Sequence, residues 1–326
     1  EYNPEKEAMS INGYSAFGSD MDGNQLKNFQ FDGFYYPKKT TENLDITFRA
    51  EPLDISLLQP FLKSIMTIKR GYLNGKGTIT GTIDRPEING KFKLLSSVIL
   101  VDFLNVQYSL SGNVEIKPMQ INFDNIEVRD KVGNSGVLSG NIFHDNFKNM
   151  RIDFDINTNK LLLLNTTSAN NSTYYGTAYA SGNAGLYGFL DDIKMEINMK
   201  TNAGTHMYIP LDGPAEMGKN DFIHFVTKDT IKKIANVTPS NFSLDFNLEA
   251  TPDAEVQLIF DEKSGDVIKA RGEGNLNMKI NSKGKFDMFG DYNLTSGDYL
   301  FTLENFITKK FDIQRGSNIK WNGNVY

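Results

Sequence analysis

The 326-residue chain has no cysteine and a single tryptophan. The missing thiols exclude a disulfide framework, a zinc–thiolate centre and a cysteine nucleophile. Histidine is nearly as scarce. His144, His206 and His224 are scattered and form no H-E-x-x-H pair, so the sequence writes no zinc site. Long apolar runs are missing too. The tightest cluster, Leu161–Leu164, falls far short of the about 20 residues that a membrane-spanning helix needs. Positive charge is not in excess: the formal net charge is -6, which leaves no electrostatic footprint for nucleic acid. No P-loop, dinucleotide fingerprint or Gly-x-Ser-x-Gly elbow is present. No catalytic residue, metal or cofactor is therefore assigned, and the chain is not expected to be an enzyme.

What remains is repetition. The stretch from Gly75 to Gly90 alternates small and β-branched residues, turns, and begins a new strand. Ser-Gly-Asn opens a strand at Ser111–Asn113, Ser139–Asn141 and Ser181–Asn183. A simple unit repeated along a chain argues for an extended architecture rather than an enzyme pocket. The hydrophobic share is 39% and the mean hydropathy is -0.39, which suits sheets with one apolar and one wet face. The fold expected is all-β: a long curled β-sheet with minor helical insertions near residues 55–68 and 219–234. At about 11 residues per strand and turn, roughly 25–30 strands are expected.

Period-2 alternation marks the strand faces. Ile152, Phe154 and Ile156 point away from Asp153, Asp155 and Asn157. Ile193, Met195, Ile197 and Met199 alternate with Lys194, Glu196, Asn198 and Lys200. Phe242, Leu244, Phe246 and Leu248 alternate with Ser243, Asp245, Asn247 and Glu249, and Leu276, Met278 and Ile280 continue the theme. The insertion near 55–68 shows helical spacing of Leu57, Leu58, Phe61, Leu62 and Ile65, interrupted by Pro60; it reads as a helix capping the β structure. Asp20–Asn24 resembles the start of a calcium loop but lacks the closing Glu, so it reads as a turn. Composition hardly shifts along residues 1–326, which read as one continuous repetitive β fragment of a longer protein, with any membrane anchor outside it.

Each apolar face must be buried against something. Periodicity alone does not separate a closed core from an open trough lined for apolar ligand. A resemblance bears on that choice. The stretch Gly75–Gly90, and above all the segments Gly274–Ile280, Phe286–Tyr292, Gly297–Phe301 and Phe311–Gly323, resemble the C-terminal region of the TamB family (translocation and assembly module, AsmA-like), in the style of its Bacteroidota members. The resemblance implies a β-taco, an open sheet folded into a hydrophobic groove. It implies a place in the periplasm, with an inner-membrane anchor upstream and an Omp85-family outer-membrane barrel (TamA- or BamA-like) as partner. It further implies bridge-like lipid transport between the inner and outer membranes in outer-membrane biogenesis. On that reading the fourteen residues Ile152, Phe154, Ile156, Ile193, Met195, Ile197, Met199, Phe242, Leu244, Phe246, Leu248, Leu276, Met278 and Ile280 line the groove and contact phospholipid acyl chains. The alternative reading is an envelope scaffold that assists assembly or translocation of outer-membrane barrel proteins through exposed strand edges.

Overall fold

A computed structural model describes residues 2–19, 25–62, 66–211, 241–261, 265–283, 285–303 and 307–324. The Asp20–Asn24 turn and the insertion expected near 219–234 lie outside the described residues. The fold is all-β: among the described residues 76% are in strands and 4% are helical, with no helix of seven residues or more. The described strands number nineteen and belong to one large sheet. That is fewer than the roughly 25–30 expected at an average strand length. The reason is strand length: Met66–Gly81, Pro86–Val101, Lys148–Thr166 and Phe286–Leu303 run 16, 16, 19 and 18 residues.

The described residues divide into two compact units. Unit 1 comprises residues 1–100, 107–131 and 137–154; unit 2 comprises 101–106, 132–136 and 155–326. In chain order the strands are β1 (Tyr2–Asn3), β2 (Ala8–Ser19), β3 (Gln25–Tyr35), β4 (Leu44–Asp54), β5 (Met66–Gly81), β6 (Pro86–Val101), β7 (Val106–Lys117), β8 (Gln120–Arg129), β9 (Ser135–Asp145) and β10 (Lys148–Thr166). They continue as β11 (Tyr175–Phe189), β12 (Asp192–Thr201), β13 (His206–Pro210), β14 (Asn241–Ala250), β15 (Glu255–Asp261), β16 (Asp266–Asn281), β17 (Phe286–Leu303), β18 (Ile307–Asp312) and β19 (Asn318–Asn324).

In unit 1, β1 to β5 form an antiparallel meander. Its core follows from alternating glycine and phenylalanine. Phe31 sits opposite Gly13, and Phe48 opposite both Phe31 and Gly77. The rings occupy the space that the glycines leave open: a Cβ on Gly77 would lie 2.6 Å from Phe48 Cζ, and one on Gly13 would lie 2.7 Å from Phe31 Cζ. Phe48, Ala50 and Phe92 are buried there together. The glycine punctuation of the sequence is thus a packing device.

Around the insertion expected near 55–68, the chain makes a 3-10 turn at Ile55–Leu58 and one α turn at Gln59–Leu62, and β5 begins at Met66. Asp54 starts the turn by accepting a hydrogen bond from the Ser56 N–H. Gln59 pins it to β5, accepting from Ile68 N at 2.6 Å and donating to Met66 O at 3.1 Å. Leu57 and Leu58 are exposed, while Ile55 is buried against Leu94, Val114 and Ile126. The described part of the expected insertion, residues 55–62, is thus helical, as two short turns of different pitch; residues 63–65 lie outside the described residues.

Unit 2 contains two parallel pairs. β12 pairs with β14 in parallel, and β13 pairs with β15 in parallel. β11 pairs antiparallel with both β12 and β13, and β16 with both β14 and β15. β17 likewise pairs with β19 and β18. Three strand paths are therefore broken at matching places, at residues 202–205, 251–254 and 313–317. The unbroken strands slip register on the same line, between Arg271 and Gly272 of β16, where Thr295 of β17 is the extra residue of a bulge. A transverse seam results. Thr205, 2% exposed, holds it: its Oγ1 accepts from Tyr179 N at 3.0 Å and lies 2.9 Å from Tyr179 O and 2.7 Å from Asn202 O. The Thr201 and Thr251 hydroxyls lie 3.0 Å apart, and Thr201 Oγ1 accepts from Thr251 N at 2.8 Å.

Candidate functional site

On one side of the seam, six strands of unit 2 carry an apolar lattice. Cross-strand partners point to the same face of a sheet, so the registers define its rows. One row runs Leu186, Met195, Leu244, Ile280, Phe286. The next runs Ala184, Ile197, Phe246, Met278, Met288, and a third runs Gly182, Met199, Leu248, Leu276, Gly290, Trp321. Ile193 and Phe242 pair at the end of the lattice. All eleven of the residues expected on β12, β14 and β16 thus share one surface. Ile156 joins it, packing on the cluster of Ala180, Ala184 and Met199 with Ile197, Phe246 and Leu248. Ile152 and Phe154 belong to unit 1, where Ile152 is buried and Phe154 meets Phe123 edge-on at 5.4 Å.

Exposure varies across the lattice. On β12, β14 and β16 the side chains are half-buried, except Met199, which is buried. On β17 Phe286 and Met288 are buried, with Tyr174 edge-on to Phe286. Sequence reading missed Leu186, Ala184, Phe286, Met288 and Trp321 as members of this surface. β17 carried a usable signal, since Phe286 and Met288 keep the same period-2 phase. β11 did not: Ala180, Gly182 and Ala184 are too small to stand out as an apolar face.

The reverse face is polar. Asn183, Asn198, Asn247 and Asn277 lie side by side on four strands. Asn277 Nδ2 donates to Asn247 Oδ1 at 2.8 Å, and Asn247 Nδ2 donates to Asn198 Oδ1 at 3.0 Å. Lys200 pairs with Glu249 at 2.7 Å, and Tyr187 donates a short hydrogen bond to Glu196 that raises the phenol's pKa. Beyond the seam, Glu255 of β15 meets Lys269 at 3.2 Å and Arg271 at 3.3 Å. Burial disfavours its charge, but the hydrogen bond from Lys269 and the two cations together hold its carboxyl below the ordinary value.

Among the described residues, no cluster of three or more His, Asp or Glu is placed to bind a metal ion. No helix among them is long and apolar enough to cross a membrane. What the lattice offers is non-directional: an apolar strip on one face, with hydrogen-bonded amides and ion pairs behind it.

Residues 124–326 match the family model of the TamB C-terminal domain. The TamB family has its role in outer-membrane assembly or lipid transport, acts with Omp85-type partners and is associated with the cell envelope. No curated protein and no solved structure matches the chain. The matched segment covers more than half of the sequence and contains the whole apolar lattice of β11, β12, β14, β16, β17 and β19: the chain belongs to the TamB family.

Proposed function

We propose that this chain is a periplasmic section of a lipid-carrying bridge between the inner and outer membranes, with phospholipid acyl chains lying on the apolar lattice of unit 2. The observation that carries the reading is the half-buried state of Met195, Ile197, Leu244, Phe246, Leu276 and Met278, an apolar surface continuous over three strands. Each acyl methylene withdrawn from water onto such a surface gains about 0.8 kcal/mol. No directional contact is needed, which agrees with a lining of aliphatic, aromatic and thioether side chains. An Omp85-family barrel would receive the lipid at the outer membrane.

The test is mass spectrometry of organic extracts from the natively purified chain, never exposed to detergent. Phospholipid in stoichiometric amounts supports the reading. A folded, monodisperse and lipid-free chain sinks it and favours the scaffold role in barrel assembly, in which the lattice is ordinary core.

A further inference from the structure

On the polar face of unit 1, cations from three strands stand in one lateral row. Arg49 of β4 is directly opposite Lys76 of β5. β6 lies against β5 with the main chain of Phe92 at Gly75: a Cβ on Gly75 would sit 2.2 Å from Lys91 O and 2.8 Å from Phe92 Cα. That register sets Lys91 alongside Lys76. Neighbouring strands are about 4.8 Å apart, and like charges directly opposite each other weaken strand pairing. The face itself is dictated by the core, because Phe48, Ala50 and Phe92 must point the other way. The charge is not dictated. One step along the same strands, the opposed pair is Thr47 and Thr78, both uncharged.

Among the described residues, neutralisation of this row is incomplete. Lys91 has Glu115 at 3.7 Å, but Glu115 is closer to Lys117, at 3.1 Å. Among the described residues Arg49 and Lys76 make no ion pair. Arg49, Lys76 and Lys91, with Gly75 and Glu51, line an open cleft of about 450 Å³. A planar guanidinium fork beside two ammonium groups is the donor set that suits a tetrahedral oxyanion.

We propose that this row binds a phosphate group, carried by a lipid headgroup or free in solution. A bound phosphate relieves the repulsion along the row while its oxygens accept from all three side chains. The site lies in unit 1 and does not depend on the acyl-chain reading of unit 2.

Isothermal titration calorimetry at low ionic strength tests it. The probes are inorganic pyrophosphate and dihexanoyl phosphatidylglycerol below its micelle concentration. The proteins are the unaltered chain, the Arg49→Gln/Lys76→Gln variant, and Lys309→Gln/Lys310→Gln as a charge-matched control. Expected is saturable binding by the unaltered chain and the control, weakened at least roughly tenfold in the Arg49/Lys76 variant and weakened by added salt. Binding of both probes identifies the phosphate itself as the ligand. Binding of the lipid alone, with the same loss in the variant, identifies a headgroup. Thermal midpoints give a second readout: pyrophosphate or the lipid raises that of the unaltered chain and leaves the variant's unchanged. No saturable binding of either probe, or equal binding by the Arg49/Lys76 variant, overturns the proposal.

Discussion

Met195 and Leu244 face each other directly across the parallel β12–β14 pair, and Leu244 in turn faces Ile280 across the antiparallel β14–β16 pair. A charge at either position lands in the middle of the apolar lattice. Leu244→Asp and Met195→Arg should each cut the phospholipid that co-purifies with the chain by roughly tenfold, corresponding to a penalty of about 1.4 kcal/mol or more in acyl contact. Circular dichroism must show native β content in both. Folded variants with an undiminished lipid load would remove the lattice from the lipid path.

The seam gives a prediction about stability. Thr205→Val keeps the shape of the side chain but removes the oxygen that accepts from Tyr179 N and reaches Tyr179 O and Asn202 O. At 2% exposure, water does not replace it. The expected loss is about 1–3 kcal/mol in urea unfolding, the cost of unsatisfied buried polar groups. A change within experimental error would mean the seam is held by its backbone alone.

Gly77 is the packing test in unit 1. Its neighbours leave no room for a methyl group: a Cβ would meet Asn89 O at 2.5 Å and Phe48 Cζ at 2.6 Å. Gly77→Ala is expected to destabilise the chain by about 1–3 kcal/mol through overpacking. An unchanged or higher unfolding midpoint would contradict the ring-over-glycine account of this core.

His144 makes stability depend on pH. It is 4% exposed and stacked on Phe147 at 4.5 Å, and its Nδ1 accepts from Phe147 N at 3.2 Å. The proton of the neutral ring therefore sits on Nε2, which is buried without a partner among the described residues. Burial lowers its pKa from the ordinary 6.5, against a smaller opposing pull from Asp145. The folded state thus prefers the neutral ring, so its stabilising contribution is complete above pH 6.5 and declines as the pH falls from there towards the lowered value. Urea midpoints at about pH 7.5 and about pH 5.5 should differ in the unaltered chain and differ less in His144→Phe. Equal pH dependence in both would assign the effect to other groups.

The phase of alternation was legible from residue order because a strand's side chains have a period of two, whatever the strand pairs with. That is why Ile193–Met199, Phe242–Leu248 and Leu276–Ile280 were placed on one kind of face, and why the all-β class follows from sequence. The insertion near 55–68 was legible for a related reason. Helical spacing of Leu57, Leu58, Phe61 and Leu62 marks helical backbone, and among the described residues 55–62 form two short helical turns, with Gln59 clamped onto β5.

Neighbourhood was not legible. Period two does not say which strand lies beside which, or in which direction, since register depends on the far strand as much as on the near one. Nothing in the order of residues announces that β12 and β14 run parallel, or that residues 202–205 and 251–254 break their strands side by side. The turn residues Asn202, Gly204, Pro252 and Asp253 hinted at the breaks, not at their alignment. Local chemistry assigned each side chain to an apolar or polar face. Long-range hydrogen bonding between strands assembled those faces into one lattice, one seam and one row of cations, because each depends on partners that are close in space and distant in the chain.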